Sequence, residues 1–156
     1  MSLFTKQPED ILVVSRDDPH DPLSSFSRHG FFLDGKEWPS VEHYYQAKKF
    51  MDEEYQEAIR NTDHPKKARK LGRSRRQKIR SDWKKIRQAV MTRALYTKVQ
   101  AHPEIGRMLL ETGNRHITET TLFSYYWGIG RDGRGKNTYG KVLMGIRQKL
   151  REKSAG

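Results

Sequence analysis

The stretch from Gly35 to Phe50 constrains the fold more than any other part of the sequence, because a turn signal leads directly into a helix start. Pro39 restricts the residue before it to an extended backbone, so the helix cannot include Trp38. Ser40 can cap the free amides of a first helical turn, and Glu42 lies where the positive end of a helix favours a carboxylate. The sequence therefore predicts a helix that begins at Ser40.

Three polar side chains share one face of this predicted helix. At about 100° per residue, Glu42, Gln46 and Lys49 form a stripe that Tyr45 flanks. A carboxylate, an amide and an amine on one face make a candidate site, and the alternative is an ordinary solvated helix face. Aromatic residues crowd the stripe in the sequence and favour a packed, half-exposed boundary: Trp38, Tyr44, Tyr45 and Phe50.

The composition suits one compact domain, since 156 residues can bury a core without disulfides. The chain has no cysteine, which excludes a disulfide framework, a thiolate nucleophile and a cysteine-ligated metal. The six histidines show no metal-ligand spacing, and we expect no metal and no redox cofactor. No apolar run reaches transmembrane length and the N-terminal residues lack a signal-peptide core, so we expect a cytoplasmic protein without a membrane partner.

The order of strand, cap and turn signals predicts a mainly helical α+β fold with one small β-sheet. Apolar or alternating runs predict strands at residues 10–15, 30–33, 36–38 and 116–121, the second and third joined as a hairpin. Caps at Asp52, Asp63 and Ser81, with proline and glycine signals, predict helices at 53–61, 65–72, 82–100, 103–112 and from Asn137 or Thr138 onward. We predict a loose terminus over residues 1–9, one domain over 10–150 and a polar tail over 151–156.

Apolar stripes predict which faces of two helices are buried. In the longest helix the stripe comprises Trp83, Ile86, Val90 and Ala94. In the last helix it comprises Tyr139, Val142, Leu143, Ile146 and Leu150, and we expect it to close the core.

Positive charge is concentrated between Lys66 and Lys85. The chain carries 31 Lys and Arg against 19 Asp and Glu, a net charge of +12, which predicts attraction to nucleic acid or to phosphorylated small molecules. The stretch 66–85 can hold a phosphate or a nucleic-acid backbone, and the alternative is a solvated basic face. Its cations are Lys66, Lys67, Arg69, Lys70, Arg73, Arg75, Arg76, Lys78, Arg80, Lys84 and Lys85.

A glycine-rich loop follows Trp127 and leads into the last helix. Its glycines allow the backbone to approach a ligand, and loop amides at a helix N-terminus attract a phosphate. The loop is not a Walker loop or a Rossmann fingerprint, because it lacks their spacing. The alternative is a flexible turn with ordinary glycine caps.

Two long motifs in this order resemble the YbiA-like family, which is also called NADAR. The first comprises Pro22 to Phe26 and Asp34 to Phe50, and the second comprises Trp127 to Gly130 and Gly140 to Met144. The resemblance covers about residues 20–150 and is far more specific than a short pattern. It implies a YbiA-like fold, a single compact domain of orthogonal helices. It also implies N-glycosidase activity, since characterised bacterial members hydrolyse phosphorylated intermediates of early riboflavin biosynthesis and relatives remove ADP-ribose from guanine.

The resemblance further implies roles for individual residues. Cleavage between ribose C1′ and nitrogen needs a carboxylate to activate water or support an oxocarbenium-like centre, or an amine that captures the C1′ aldehyde. Glu42 and Lys49 match family positions of these two types. Trp83 is assigned to stacking on the base of the substrate or to shaping the pocket, and it is equally ordinary as a core residue. Trp127 is assigned to a pocket wall and Arg73 to the substrate phosphate. The other implied substrate-binding residues are Ser24, Ser25, Phe26, Tyr45, Gln46, Gly128, Gly130, Gly133, Gly135 and Asn137.

The chain departs from the family pattern at two positions. Many members carry an acidic residue three positions before the tryptophan of the Trp-Gly motif, where this chain has Ser124. The family pattern Leu-Ser-Asn-Phe likewise has Ser25 in place of the asparagine. Glu119, in the preceding strand, is a nearby carboxylate that could serve in place of the missing acid, and the alternative is a surface strand residue.

The leading hypothesis is an N-glycosidase that hydrolyses the ribose C1′–N bond of a phosphorylated, ribosylated small molecule. Early riboflavin biosynthesis intermediates, the ribosylaminopyrimidine 5′-phosphates, are the substrates that the resemblance favours. One alternative is hydrolysis of ADP-ribosyl-guanine. The other is a non-enzymatic module that binds ADP-ribose, or nucleic acid through residues 66–85.

Overall fold

The computed structural model describes residues 10–155, and the chain divides into two compact units. Of the described residues, the central unit comprises 25–102 and the terminal unit comprises 10–24 together with 103–155. The predicted loose terminus over residues 1–9 lies outside the described residues. Within the described residues the backbone forms six helices and four short strands, which confirms the mainly helical α+β class. The predicted outer boundaries of the domain stay a prediction.

The central unit begins with a hairpin that the sequence predicts correctly. The first strand of the chain, β1 (Ile11–Val14), belongs to the terminal unit. In the central unit, β2 (Phe31–Leu33) pairs antiparallel with β3 (Lys36–Trp38) and forms the hairpin. The turn between them places Asp34 at φ 53° and Gly35 at φ 78°. This pair of left-handed residues matches the right-handed twist of two neighbouring strands.

Helix α1 (Val41–Ala47) is the buried helix of the central unit. Ser40 caps it as predicted, since the Ser40 hydroxyl accepts from the backbone N–H of His43. Every residue of α1 is buried, because α2 (Glu53–Arg60), α3 (Pro65–Gly72) and α4 (Trp83–Ala101) all pack against it. The solvated helix face, and a half-exposed one, are therefore wrong for Glu42 and Gln46, whereas the packing that the aromatic residues favour is confirmed for both.

The caps of α3 and α4 differ from the predicted ones, Asp63 and Ser81, and among the described residues Asp82, which directly precedes α4, makes no side-chain capping hydrogen bond. Asp52 caps α2 as expected, but α3 is capped by His64, whose Nδ1 accepts from the backbone N–H of Lys66 at 3.0 Å. The predicted cap, Asp63, instead pairs with Lys67 Nζ at 2.8 Å. A cationic side chain one turn along α3 thus competes for the carboxylate, which the cap signal alone does not show.

The long helix α4 buries more than its predicted stripe. Trp83 and Ala94 are buried, whereas Ile86 and Val90 are only half-buried. Met91, Leu95, Lys98 and Val99 are also buried. The packed side of α4 therefore moves around the helix along its length.

The terminal unit contains a second pair of strands. Strand β1 pairs parallel with β4 (His116–Glu119). This pair shares no strand with the β2–β3 hairpin. The prediction of one small sheet is therefore wrong, because the described strands form two separate two-stranded sheets. Helix α5 (Pro103–Glu111) and helix α6 (Thr138–Ala155) complete this unit, and α6 packs on both β4 and α5.

Helix α6 buries most of its predicted stripe. Tyr139, Val142, Leu143 and Ile146 are buried, while Leu150 is half-buried. The helix continues to Ala155 and so includes most of the predicted polar tail. Within residues 10–155, no helix is both long enough and apolar enough to cross a bilayer.

Candidate active site

The predicted stripe of α1 lies in a cluster of polar side chains that we call the α1 cluster. Its members are the side chains of Ser25, Glu42, Gln46, Lys49 and Arg69, together with the backbone of Gly72.

The carboxylate of Glu42 is the centre of the α1 cluster. Its side chain has 0% relative exposure. Ser25 Oγ donates to Oε1 at 2.8 Å, while Gln46 Nε2 and Arg69 Nε donate to Oε2 at 2.7 and 3.1 Å. Three donors, one of them cationic, stabilise a negative charge at a place that water does not reach.

Close packing between α1 and α3 builds this cluster. A Cβ atom on Gly72 would lie 1.9 Å from Gln46 Oε1, so only glycine lets α3 approach α1 this closely. The carbonyl of Gly72 accepts from Lys49 Nζ at 3.3 Å. On the far side of Glu42, the guanidinium of Arg69 lies 4.3 Å from the centre of the Phe26 ring. The residues predicted for substrate binding at Ser25, Phe26 and Gln46 thus meet at Glu42.

The side-chain oxygen of Gln46 is a buried hydrogen-bond acceptor of the α1 cluster that has no donor among residues 10–155. Within the described residues, Gln46 Oε1 is buried and accepts no hydrogen bond, while Nε2 of the same amide is engaged by Glu42. A buried amide oxygen is seldom left unpaired in a folded protein. The oxygen is therefore a candidate acceptor for a donor group of a ligand or of water.

Lys49 lies beside an aromatic wall. The residue is half-buried, and its Nζ is 5.8 Å from the centre of the Tyr45 ring. The Tyr45 and Trp83 rings pack at 5.0 Å between centroids with a tilt of 57°. Trp83 is 7% exposed, so its packing suits both of the roles that the sequence allows, a core residue and a pocket wall. Arg73 is exposed and follows directly after α3.

The second predicted carboxylate, Glu119, lies in the terminal unit and is also fully buried, at 0% exposure. Its Oε2 accepts from the backbone N–H of Arg16 at 2.7 Å and from Thr121 Oγ1 at 2.5 Å, and its Oε1 accepts from the Thr121 N–H at 2.8 Å. The surface-strand alternative is therefore wrong. These bonds join the ends of β1 and β4, which gives Glu119 a structural function whatever else it does.

Trp127 and its neighbours are packed inside the terminal unit. Trp127 is 5% exposed, and the Arg16 guanidinium lies 5.4 Å from its ring centre. Ser124 Oγ accepts from the Trp127 N–H at 3.1 Å, so the serine in the family's acidic position holds a turn. A Cβ on Gly128 would lie 2.3 Å from Glu119 Oε1. Ser24, in the same unit, is fully buried, and its hydroxyl donates to the carbonyl of Asp18.

The glycine-rich loop is held by its own hydrogen bonds. The amides of Gly133, Gly135, Lys136, Asn137, Thr138 and Tyr139 all donate to backbone carbonyls of residues 125–130. Gly130 and Gly133 have φ of 71° and 77°, and Gly135 lies so close to the Gly128 carbonyl that a Cβ would be 2.3 Å from it. The glycines therefore serve the fold of the loop, and most of the amides expected to bind phosphate are already engaged.

Asn137 connects this loop to β4. Its Oδ1 accepts from the Glu119 N–H at 2.8 Å and its Nδ2 donates to the Ile117 carbonyl at 2.9 Å. The side chain thus extends the hydrogen bonding of the strand, a function that the sequence reasoning did not foresee.

Sequence reasoning also missed the specific function of two arginines. The charge pattern shows Arg69 only as one member of the basic stretch, although the buried Ala68 and Gly72 near it mark the packed side of α3. Arg16 lies in a turn-rich segment without any motif, and no sequence signal marks it. Among residues 10–155, no group of three or more His, Asp or Glu side chains is arranged to hold a metal ion.

Known proteins share the sequence and the fold of this chain. The NADAR domain model matches residues 8–151. N-glycosidase YbiA of Escherichia coli strain K12 is 40% identical over 140 residues, which is 90% of this chain and 88% of that protein. A riboflavin biosynthesis protein of Vibrio vulnificus is 36% identical over 151 residues, 97% of this chain and 41% of that protein. The NMR structure of E. coli YbiA superposes with a TM-score of 0.85 at 36% identity, covering 96% of this chain and 90% of that one.

The family model and the E. coli relative each cover most of the chain, so the resemblance that the two motifs suggest is confirmed. The chain belongs to the NADAR family and is an N-glycosidase, an enzyme that hydrolyses a bond between a sugar carbon and a nitrogen atom.

Proposed function

We propose that the substrate is a ribosylaminopyrimidine 5′-phosphate, an early intermediate of riboflavin biosynthesis. The observation that carries the proposal is the α1 cluster, in which a buried carboxylate held by three donors lies on the same helix stripe as the amine of Lys49. The Vibrio vulnificus relative, named as a riboflavin biosynthesis protein, supports this choice of base. The net charge of +12 supports a substrate that carries a phosphate.

In the proposed reaction the bond between C1′ and the exocyclic nitrogen breaks. Its electron pair leaves with the nitrogen, which takes up a proton and departs as the free aminopyrimidine. Water supplies a hydroxyl group to C1′ and loses its second proton, so the other product is ribose 5-phosphate. Positive charge develops at C1′ and the ring oxygen in the transition state, and a fixed negative charge lowers its energy.

We assign that fixed negative charge to Glu42. Because the carboxylate is fully buried and already accepts three hydrogen bonds, it suits electrostatic stabilisation better than the proton transfer that the sequence suggested. Arg69 and Gln46 act as positioning residues that hold its oxygens. The general acid/base role would require substrate or water to reach a carboxylate that is fully buried in this structure.

We assign Lys49 to the sugar. The residue, next to the Tyr45 ring, is the most exposed member of the stripe, since Glu42 and Gln46 are buried. A neutral amine can add to C1′ of the ring-opened sugar, release the nitrogen and leave a Schiff base that water hydrolyses to ribose 5-phosphate. The alternative function for the same amine is contact with the phosphate or with a developing negative charge.

The direct test is release of ribose 5-phosphate from the ribosylaminopyrimidine 5′-phosphate, measured beside E. coli YbiA as a positive control. We expect turnover by both proteins. An inert chain beside an active YbiA would refute the substrate assignment. A guanine oligonucleotide that carries ADP-ribose serves as a second substrate, and release of ADP-ribose from it alone would move the assignment to the ADP-ribosyl-guanine alternative.

A further inference from the structure

Nearly all of the net charge of the chain lies on twenty consecutive residues of the central unit. Residues 66–85 contain eleven Lys and Arg but only one acidic residue, Asp82, so this stretch carries +10 of the total of +12. Such an uneven distribution is unnecessary for solubility, because like charges placed together repel one another.

Part of this charge is neutralised inside the central unit. Arg69 pairs with Glu42, and Lys67 pairs with Asp63. Arg80 Nε lies 2.6 Å from Asp82 Oδ1, and the Arg80 hydrogen bond and then the charge of Lys85 lower the pKa of Asp82. Arg73 is the residue that the family resemblance assigns to the substrate phosphate. Six other cations of the stretch are exposed, and within the described residues none of the six makes an ion pair. We call these six the basic face: Lys66, Lys70, Arg75, Arg76, Lys78 and Lys84.

The basic face is distinct from the α1 cluster on the same helix. On α3, Ala68 and Gly72 are buried and Arg69 turns to Glu42, whereas Lys66 and Lys70, four positions apart, are exposed. The turn after α3 and the first turn of α4 carry the other four cations. An open cavity of about 300 Å³ adjoins Lys66 and is lined by Arg28, Asp63, His64, Lys66 and Lys67.

The number of unpaired cations indicates the class of ligand. One phosphate of a small substrate is satisfied by one or two cationic side chains, whereas six in one stretch match a polymer with regularly spaced phosphates. The only aromatic residue of the stretch is Trp83, which is 7% exposed and so offers no ring on which an unpaired base could stack. We propose that the basic face binds the phosphate backbone of duplex nucleic acid without reading its sequence.

This proposal goes beyond the N-glycosidase activity and is tested by binding. The probe is a fluorescein-labelled DNA duplex of about 20 base pairs, long enough for six phosphate contacts, titrated by anisotropy at several salt concentrations. If all six cations contact phosphate, the logarithm of the binding constant should fall with the logarithm of the salt concentration with a slope of about −5. A single strand of the same sequence should bind more weakly.

A pair of matched variants locates the site. The triple change Lys66→Gln, Lys70→Gln and Lys78→Gln should make the salt slope shallower by about 3, roughly one for each lost phosphate contact. The control triple, Lys141→Gln, Lys149→Gln and Lys153→Gln on exposed positions of α6, removes the same charge elsewhere and should leave the slope unchanged. Circular dichroism and ribose 5-phosphate release should match the wild type in both.

Several results would overturn the proposal. The first is that the duplex does not bind at 50 mM salt. The second is that the α6 control triple reduces the salt slope as much as the triple change on the basic face does. The third is that the single strand binds more tightly than the duplex. Binding of vesicles of anionic phospholipid with the same dependence on Lys66, Lys70 and Lys78 and with higher affinity would assign the face to a membrane surface instead. Because the readout is binding, the proposal can fail while the glycosidase activity stands.

Discussion

At the scale of single residues, burial separates two side chains that the helix stripe treats alike. Glu42 is fully enclosed and charged, so its stability in the fold depends on Ser25, Gln46 and Arg69. Lys49, at the end of the stripe, is half-buried and makes its bond to a backbone carbonyl. Changes at these two positions should therefore have different consequences for folding.

We predict that Glu42→Gln and Lys49→Met each lower turnover by at least about a hundredfold, the usual scale for loss of a group that acts on the transition state. Glu42→Gln should also lower the free energy of unfolding by about 2–4 kcal/mol, because it leaves Arg69 without its carboxylate at a side chain that is only 12% exposed. Lys49→Met should change that free energy by less than about 1 kcal/mol. Urea denaturation and initial rates measure the two effects.

Borohydride added during turnover distinguishes the two functions proposed for Lys49. If a Schiff base forms, reduction should attach the sugar covalently to the wild type, more slowly to Glu42→Gln, and not at all to Lys49→Met, as read by mass spectrometry. Turnover without an adduct would restrict Lys49 to an electrostatic function. Full activity in both variants would remove the α1 stripe from the mechanism.

At the scale of secondary-structure elements, the contact between α1 and α3 requires a glycine for a reason beyond helix termination. Gly72 ends α3, as a glycine commonly does, and it does so at the point where α3 touches Gln46. Gly145, in α6, has no atom within 4 Å of a built Cβ. The two glycines thus form a matched pair, one required by packing and the other only tolerated.

We predict opposite results for alanine at these two glycines. Gly72→Ala should displace Gln46 from Glu42, lowering both stability and turnover, because its Cβ would also lie 2.9 Å from Gln46 Cβ, which cannot swing away. Gly145→Ala should raise the free energy of unfolding by about 0.5–1 kcal/mol with unchanged turnover, from helix propensity alone. Thermal denaturation and activity assays measure both, and a stabilised Gly72→Ala variant would show that α3 can move away from α1.

At the scale of the whole molecule, the response to acid combines a buried histidine with surface ion pairs. Burial lowers the pKa of His43 below its ordinary value of 6.5, although its Nε2 bonds to the Thr62 carbonyl at 3.0 Å and Glu42 is near. Hydrogen bonds from Arg60 and then from Lys36 lower the pKa of Glu57 to about 2. Both groups bind a proton more readily in the unfolded chain than in the folded one.

We therefore predict two pH windows in which stability is lost. As pH falls below about 6.5, His43 of the unfolded chain takes up a proton that the folded protein resists, so the free energy of unfolding decreases. A second decrease, from Glu57, should occur between its ordinary pKa of 4.5 and about 2. Urea denaturation at a series of pH values measures both, and the variant His43→Gln should flatten the first window while keeping the second. An unchanged slope in that variant would exclude His43 as its source.

The sequence by itself determined the features that depend on neighbours within about four residues. The Ser40 and Asp52 caps, the hairpin at Asp34 and Gly35, and the buried stripe of α6 are of this kind, because each signal and its partner lie on the same turn or helix. The two long family motifs added the activity class, since they identify the chain as a NADAR protein.

Tertiary structure alone decided which charges are buried and what holds them. Arg69 meets Glu42 across 27 positions of the chain, and the Arg16 backbone meets Glu119 across 103. A period of 3.6 residues places Glu42, Gln46 and Lys49 on one face but does not say that α3 covers that face. From the sequence, the glycine-rich loop likewise looks like a series of free backbone amides. In the structure most of these amides donate to backbone carbonyls of residues 125–130. Side chains are buried and their charges are paired by segments that are distant in sequence. A local sequence pattern does not show which distant segment packs against it.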